Sequence, residues 1–250
     1  MQVYGETPTP DLLADIEARE WRNYLSGERG LKAATVNQRL AALKGLVRFC
    51  GRQLDVQGIK SVRPPIEPLT SRDLGRLLAV AESAVWGPPW LALRNAAMIA
   101  LMAKAGLRVS EVAGLDVSDV EVKPLSGWAT VRRGKGLKER RVPLSSHARK
   151  YLQKYLDARP EWAGPPLFIS KTGKRVHKRD VQRMISNTAT SGLERKVSAH
   201  VLRHTFATRF LRNGGDLATL RSILGHANIE TTSRYLHPDA EGMQNMVEDL

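Results

Sequence analysis

His200-Val201-Leu202-Arg203-His204-Thr205-Phe206-Ala207-Thr208-Arg209-Phe210-Leu211 reads as the heart of a helix over 199–212. His200, Arg203 and His204 fall at i, i+3 and i+4, so two imidazoles and a guanidinium share one face. Working outward, Leu217 to Leu224 form an apolar helix over 216–224, stopped by Gly225. His226 follows that stop, and Tyr235 falls in a short helix over 229–236 that Asn228 caps. Upstream, apolar periodicity predicts helices over 177–190 and 146–158. Before them, Trp128–Arg133 and Glu139–Leu144 read as two strands of a hairpin around Gly134-Lys135-Gly136. Leu167-Phe168-Ile169 offers one further strand. The fold class is mostly α with a small antiparallel sheet, α+β.

The rest of the chain is helical too. Residues 90–105 form a long apolar helix closed by Gly106, and Val109 to Leu115 a short one. Thr70 and Asp73 open a helix ahead of these. Arg63-Pro64-Pro65-Ile66-Glu67-Pro68 defeats helix and central strand alike, so 63–69 is a Pro-rich linker. It separates a short helical region, 1–62, from a larger domain, 70–250, with a tail after Pro238. In the short region, Thr9 and Pro10 start one helix with Leu13, Ile16, Trp21, Tyr24 and Leu25 inward. A second begins near Ala34-Thr35, with Val36, Leu40, Leu43, Val47 and Phe49 inward and Gly51 as its stop.

Charge bounds the partner. The chain carries 39 Lys and Arg against 25 Asp and Glu, a net +14. Residues 1–69 hold 10 basic against 8 acidic side chains, so nearly all the excess belongs to 70–250. Such a balance favours a polyanion, with nucleic acid first. One dense basic patch surrounds the hairpin tip, with Arg132, Arg133, Lys138, Arg140 and Arg141. A second runs through Lys171, Lys174, Arg175, Lys178, Arg179 and Arg183. Between Lys32 and Arg52 a helix face offers Lys44 and Arg48 with no acidic residue. We take Lys44, Arg48, Arg133, Lys138, Arg140, Lys174, Arg175, Lys178 and Arg179 as candidate DNA contacts. A lone Cys50 excludes an internal disulfide, and the N-terminus has no signal-peptide pattern, which suggests a reducing cytoplasm.

The chemistry-bearing residues are Arg108, Glu111, Lys135, His200, Arg203, His226 and Tyr235. Together they offer a phenol to attack, cations to hold a phosphate, and groups to move protons. Each has a plainer reading. Arg108 opens a short helix, where it meets a phosphate or pairs with Glu111 three residues on. Lys135 donates a proton, contacts DNA, or is simply solvated. His204 is a satisfied core histidine or a partner of His200. Two His at i, i+4 also match zinc spacing, but Val201 stands where a metalloprotease needs Glu, and no third ligand cluster is evident. Neither a metal nor a cofactor is expected.

AGLRVSEVAGL (105–115), RGKGLKERRVPL (133–144), HVLRHTFATRFL (200–211) and LGHANIETTSRYLH (224–237) together resemble the tyrosine recombinases, the family of phage integrases and Xer resolvases. The resemblance spans about 66–240. It implies a catalytic domain in which Arg108 and Arg203 clamp the scissile phosphate, and Tyr235 is the nucleophile. Lys135 would then be general acid to the leaving 5′ oxygen. His200 would assist the proton of the tyrosine, His226 would bond a non-bridging oxygen, and Glu111 would orient Arg108. It implies duplex DNA as partner, a 3′-phosphotyrosyl intermediate, and a homo- or hetero-tetramer on two sites working through a Holliday junction. The place of work would be the cytoplasm, on the nucleoid. The family carries about four helices ahead of this domain. Only two fit here, so half of that DNA clamp is expected to be missing. Two other readings are a type IB topoisomerase-like relaxation of DNA, and an inactive DNA-binding accessory protein.

Overall fold

The computed structural model describes residues 14–60, 66–83, 87–132, 139–193 and 195–225. The chain divides into two compact units between Pro65 and Ile66.

In the first unit, α1 (Asp15–Ser26) and α2 (Ala33–Phe49) enclose a small core of Ala18, Leu40, Val47, Leu54 and Val56. Glu17 accepts the Ala14 N–H at 3.0 Å and so caps α1. Gly51, with φ +78°, lets the chain turn back after α2. The returning segment is fastened to both helices. The Asn37 amide both donates to and accepts from the Ile59 backbone, at 2.9 and 2.7 Å, and Arg22 donates to Gln57 O at 2.8 Å. Two helices share only one seam, which is why the expected apolar faces are narrower than read. Ile16, Tyr24 and Phe49 face solvent, Phe49 almost fully, while Val36, Leu40 and Val47 are buried as expected. Thr9, Pro10 and Leu13 lie outside the described residues.

The second unit is built around α4 (Pro89–Lys104), which packs against α3 (Ser71–Ser83), α6 (Ser146–Ala158) and α8 (Ala199–Arg212). Neighbours on several sides explain why α4 is apolar nearly all round, from Trp90 to Ala103. Thr70 caps α3 by accepting the Asp73 N–H at 3.1 Å, as the sequence suggests. The sheet is antiparallel, β1 (Val120–Val122), β2 (Gly127–Val131) and β3 (Arg140–Pro143), in that order. Val131 pairs with Arg140, which sets the register of the hairpin. The third strand is β1 and not Leu167–Ile169. That segment is fully buried, but it makes only isolated bridges, Asp116 with Pro166 and Ile169 with Arg175. Its burial serves packing: Phe168 stacks on Tyr155 at 5.4 Å, and the Tyr155 hydroxyl donates to Leu167 O at 2.9 Å. Helices α7 (Lys178–Leu193) and α9 (Leu217–Leu224) complete the unit, α7 against α3 and α9 beside α8 and β3. Among the described residues no helix is long and apolar enough to cross a membrane.

Gly106 sets the path of the chain as it leaves α4. Its φ is +72°, and a Cβ there would lie 2.4 Å from the Phe206 ring and 3.0 Å from Leu224. Both the backbone region and the space exclude a side chain, so α8 and α9 close directly onto the turn that leads to Arg108. Gly106→Ala should therefore destabilise the protein by about 2 kcal/mol or more. Chemical denaturation measures it, and an unchanged midpoint would contradict this account of the turn.

Candidate active site

The site grows from the start of α5 (Val109–Gly114). Arg108 stands at the N-cap with extended backbone, and Glu111 at the third helical position turns back toward it. Glu111 Oε2 accepts the Arg108 N–H at 2.8 Å, while Oε1 accepts from Arg108 Nη1, also at 2.8 Å. The same carboxylate takes both teeth of Arg140 from β3, Nη1 at 2.9 Å and Nη2 at 2.8 Å. Arg203 of α8 brings Nη1 to 3.9 Å from Glu111 Oε2. Three arginines from three elements thus meet on one carboxylate.

They also share a second anchor, the C-terminal end of α9. A helix ends with carbonyls that have no partner within it. Here Ile223 O accepts from Arg140 Nε at 2.8 Å, Leu224 O from Arg203 Nη2 at 2.7 Å, and Gly225 O from Arg108 Nη2 at 3.2 Å. Three consecutive carbonyls each receive one of the three guanidiniums. Gly225, left-handed at φ +61°, makes the turn that presents the last of them. Arg203 Nη1 further donates to Gly106 O at 2.6 Å, so α8 also holds the turn before Arg108.

Exposure separates the three. The Arg203 and Arg140 side chains are 4% and 12% exposed, and Arg108 is 34% exposed. Arg108 is therefore the one that reaches the adjoining cleft, an open cavity of about 550 Å³ that Ser110, Asp119, Thr130 and Arg132 also line. Asp119 is buried there, with Oδ2 on the Asp116 N–H at 2.9 Å and Oδ1 at 2.9 Å from Arg132 Nη2. Burial pushes the Glu111 carboxyl up, but the hydrogen bonds of Arg140 and Arg108 and the charge of Arg140 outweigh it and hold the group at about 2.

His200 is exposed in the first turn of α8, just after Ser198, which caps that helix by accepting the Val201 N–H at 3.4 Å. His204, one turn on, is half-buried. Burial lowers its pKa, the Ile66 backbone opposes that, and His200 adds to it. Lys135, His226 and Tyr235, with Arg133 and Lys138, lie outside the described residues. Among the described residues no group of three His, Cys, Asp or Glu is placed to hold a metal.

Two expected DNA contacts are otherwise engaged. Arg140 spends its fork on Glu111 and its Nε on Ile223 O. Arg175 donates to Leu115 O at 2.9 Å and to Asp116 Oδ1 at 2.6 Å, clipping the loop after α5. Arg132 and Arg141 of the hairpin patch pair with Asp119 and Glu121. Lys174, Lys178 and Arg179 are exposed at and before the start of α7, and on α2 Arg48 is exposed and Lys44 half-buried. The place of Arg140 in the site does not emerge from the sequence reading. A signal for it exists: in β3 it lies two residues from the buried Val142, on the same face.

Residues 67–241 match the phage integrase family. Tyrosine recombinase XerC of Escherichia coli (strain K12 / DH10B) is 35% identical over 232 residues, covering 88% of this chain and 75% of that protein. The crystal structure of XerA recombinase is 29% identical, with a TM-score of 0.63 over 97% of this chain and 85% of that one. XerH site-specific recombinase bound to palindromic difH substrate, in a post-cleavage complex, is 21% identical; its TM-score of 0.79, over 95% of this chain and 72% of that one, shows the same fold. The chain belongs to the phage integrase family, whose class is the tyrosine site-specific recombinases.

The Glu111 geometry carries a pH prediction. A carboxyl held at about 2 in the fold and near 4.5 when unfolded stabilises the fold fully above 4.5 and loses that contribution as pH falls toward 2. The difference amounts to about 3 kcal/mol. Unfolding of wild type and Glu111→Gln in denaturant across this range should show the wild-type stability falling more steeply. Parallel curves would remove Glu111 as the origin.

Proposed function

We propose that this recombinase cuts and rejoins duplex DNA through a 3′-phosphotyrosyl intermediate, with Tyr235 as nucleophile. The observation that carries the reading is the convergence of Arg108 and Arg203, from two separate helices, on one carboxylate and one helix end. Two planar cations fixed in this way suit a phosphodiester, whose equatorial oxygens gain charge as the phosphorus becomes five-coordinate. Arg108, the more exposed, meets the phosphate from the cleft. Arg203 holds it from the buried side. Glu111 fixes the orientation of Arg108 and needs no proton of its own, since it stays ionised at any neutral pH.

In the forward step the Tyr235 oxygen bonds to phosphorus and the bond from phosphorus to the 5′ oxygen breaks. His200 assists removal of the phenol proton, Lys135 supplies a proton to the leaving 5′ oxygen, and His226 bonds a non-bridging oxygen. The ester conserves the energy of the broken bond, so a free 5′ hydroxyl can reverse the step without ATP. Duplex DNA is the substrate. Lys174, Lys178, Arg179, Arg48 and Lys44 are the described cations that would meet its backbone. By its resemblance to the Xer resolvases, the recombinase would assemble on two sites as a homo- or hetero-tetramer, with Holliday-junction exchange between them.

Tyr235→Phe should bind DNA as wild type does and form no denaturant-stable adduct. An adduct in this variant would place the nucleophile elsewhere, Tyr151 or Tyr155 included. Arg108→Lys, which keeps the charge and loses the fork, should slow adduct formation by about 10²-fold; a wild-type rate would make Arg108 structural. On a supercoiled plasmid carrying two sites, recombinant circles are expected, and relaxed circles alone would favour topoisomerase chemistry.

Lys135 has its own test. A substrate with sulfur in place of the 5′ leaving oxygen departs as a thiolate and needs no proton. Lys135→Ala should be slow on ordinary DNA and largely rescued on the sulfur substrate. Equal damage on both would assign Lys135 to binding.

A further inference from the structure

We infer that Arg140 is a positioning residue of this recombinase, one that locks β3, the Glu111 that orients Arg108, and the end of α9 into a single arrangement. The inference rests on the reading that Arg108 holds the scissile phosphate. Its basis is connectivity. Arg140 begins β3, five residues after Lys135 along the chain. Its two Nη atoms grip both oxygens of Glu111, at 2.9 and 2.8 Å. Its Nε donates to Ile223 O at 2.8 Å, three residues before His226. A single side chain thus ties β3, α5 and α9 together. Its fork is spent on Glu111 and its Nε on Ile223 O, the bonding pattern of a strut.

A planar fork is what such a strut requires. Glu111 must present one oxygen to the Arg108 N–H and the other to Arg108 Nη1. A bidentate partner on the opposite side fixes the plane of the carboxylate, and that plane sets where the Arg108 guanidinium points. Lysine, a point charge, can balance Glu111 but cannot fix its plane or reach Ile223 O at the same time.

The test compares full-length wild type, Arg140→Gln, Arg140→Lys and Arg108→Lys. Each is assayed for DNA affinity and for the rate of denaturant-stable adduct on sheared genomic DNA, across acid and neutral pH. Arg140→Gln should bind DNA as wild type does and form adduct about 10²-fold more slowly, the scale of a small misplacement at the reacting atoms. It should also gain an acid limb absent from wild type. Without its strongest partner, burial raises Glu111 from about 2 toward its ordinary 4.5, so the carboxylate is lost at a higher pH than in wild type. The charged groups facing Glu111 are then Arg108 and Arg203, with Asp116, Asp119 and Arg132 across the cleft. Adding Glu111→Gln to Arg140→Gln should abolish the extra limb, which identifies the titrating group. Arg140→Lys should keep Glu111 charged and show little extra limb, yet remain slow.

A wild-type rate and pH profile in Arg140→Gln would overturn the inference. So would a loss of affinity that matches the loss of rate, which would make Arg140 a DNA contact. If Arg140→Gln fails to melt cooperatively, Arg140→Lys decides: a wild-type rate there overturns the positioning role. A wild-type rate in Arg108→Lys would instead refute the functional reading itself, and the two failures are thereby separated.

Discussion

One carboxylate, Glu111, is the constraint on which this catalytic unit turns. Three guanidiniums gather on it, and two of them, on Arg203 and Arg140, are almost wholly withdrawn from water. Burying cations is costly, and a single ion pair often fails to recover the loss. Here the recovery has two sources. Glu111 provides a full negative charge, and the C-terminal end of α9 adds roughly half a charge more. Neither alone would do. Together they explain why α5, α8, α9 and β3 hold one arrangement. Three positive groups against about one and a half negative ones still leave these groups with an excess of positive charge. On the proposed reading, a bound phosphodiester would supply one further negative charge and its transition state more, and this surplus, settled when the protein folds, would suit an anion-stabilising site.

How much of this is legible in the chain differs from element to element. The helices over 146–158 and 199–212 have the boundaries the sequence suggests, because apolar periodicity and the caps Ser145 and Ser198 agree. Gly106 and Gly225 are legible as helix stops for the same local reason. Glu111 is legible as the partner of Arg108, since three residues on a helix is a contact distance. The convergence is not. Arg140 lies 29 residues from Glu111 and 83 from Ile223 along the chain, and no local rule joins them. The pairing of its two strands reads correctly, but its arginines read as one basic patch for DNA, although alternation separates Arg140 from Arg141. β1 escapes a sequence reading because three residues are too short to show a period. Leu167–Ile169 passes for a strand because full burial and strand character look alike in a short apolar run.

The structure also revises the view of the charge. From the sequence, net positive charge in the larger unit reads as surface for DNA. Part of it is engaged within the protein: Arg203 and Arg140 are bound to Glu111 and the end of α9, and Arg159 and Arg175 bind loop carbonyls. The described cations that stay on the surface, Lys174, Lys178 and Arg179 among them, are fewer than the composition implies. Counting basic residues therefore overstates the electrostatic footprint wherever arginine doubles as a backbone fastener.

The burial of the Glu111 cluster has one more consequence, which concerns ionic strength. Mobile ions screen exposed charges over distances of about 10 Å at 0.1 M, but they hardly reach pairs that are shut off from solvent. Encounter with DNA, which depends on the exposed lysines and arginines, weakens as electrolyte is added. The geometry that Glu111 imposes on the arginines does not. Recruitment and readiness to react thus answer to different surroundings, and a protein already seated on its DNA keeps a formed site in a medium that would have prevented it from arriving.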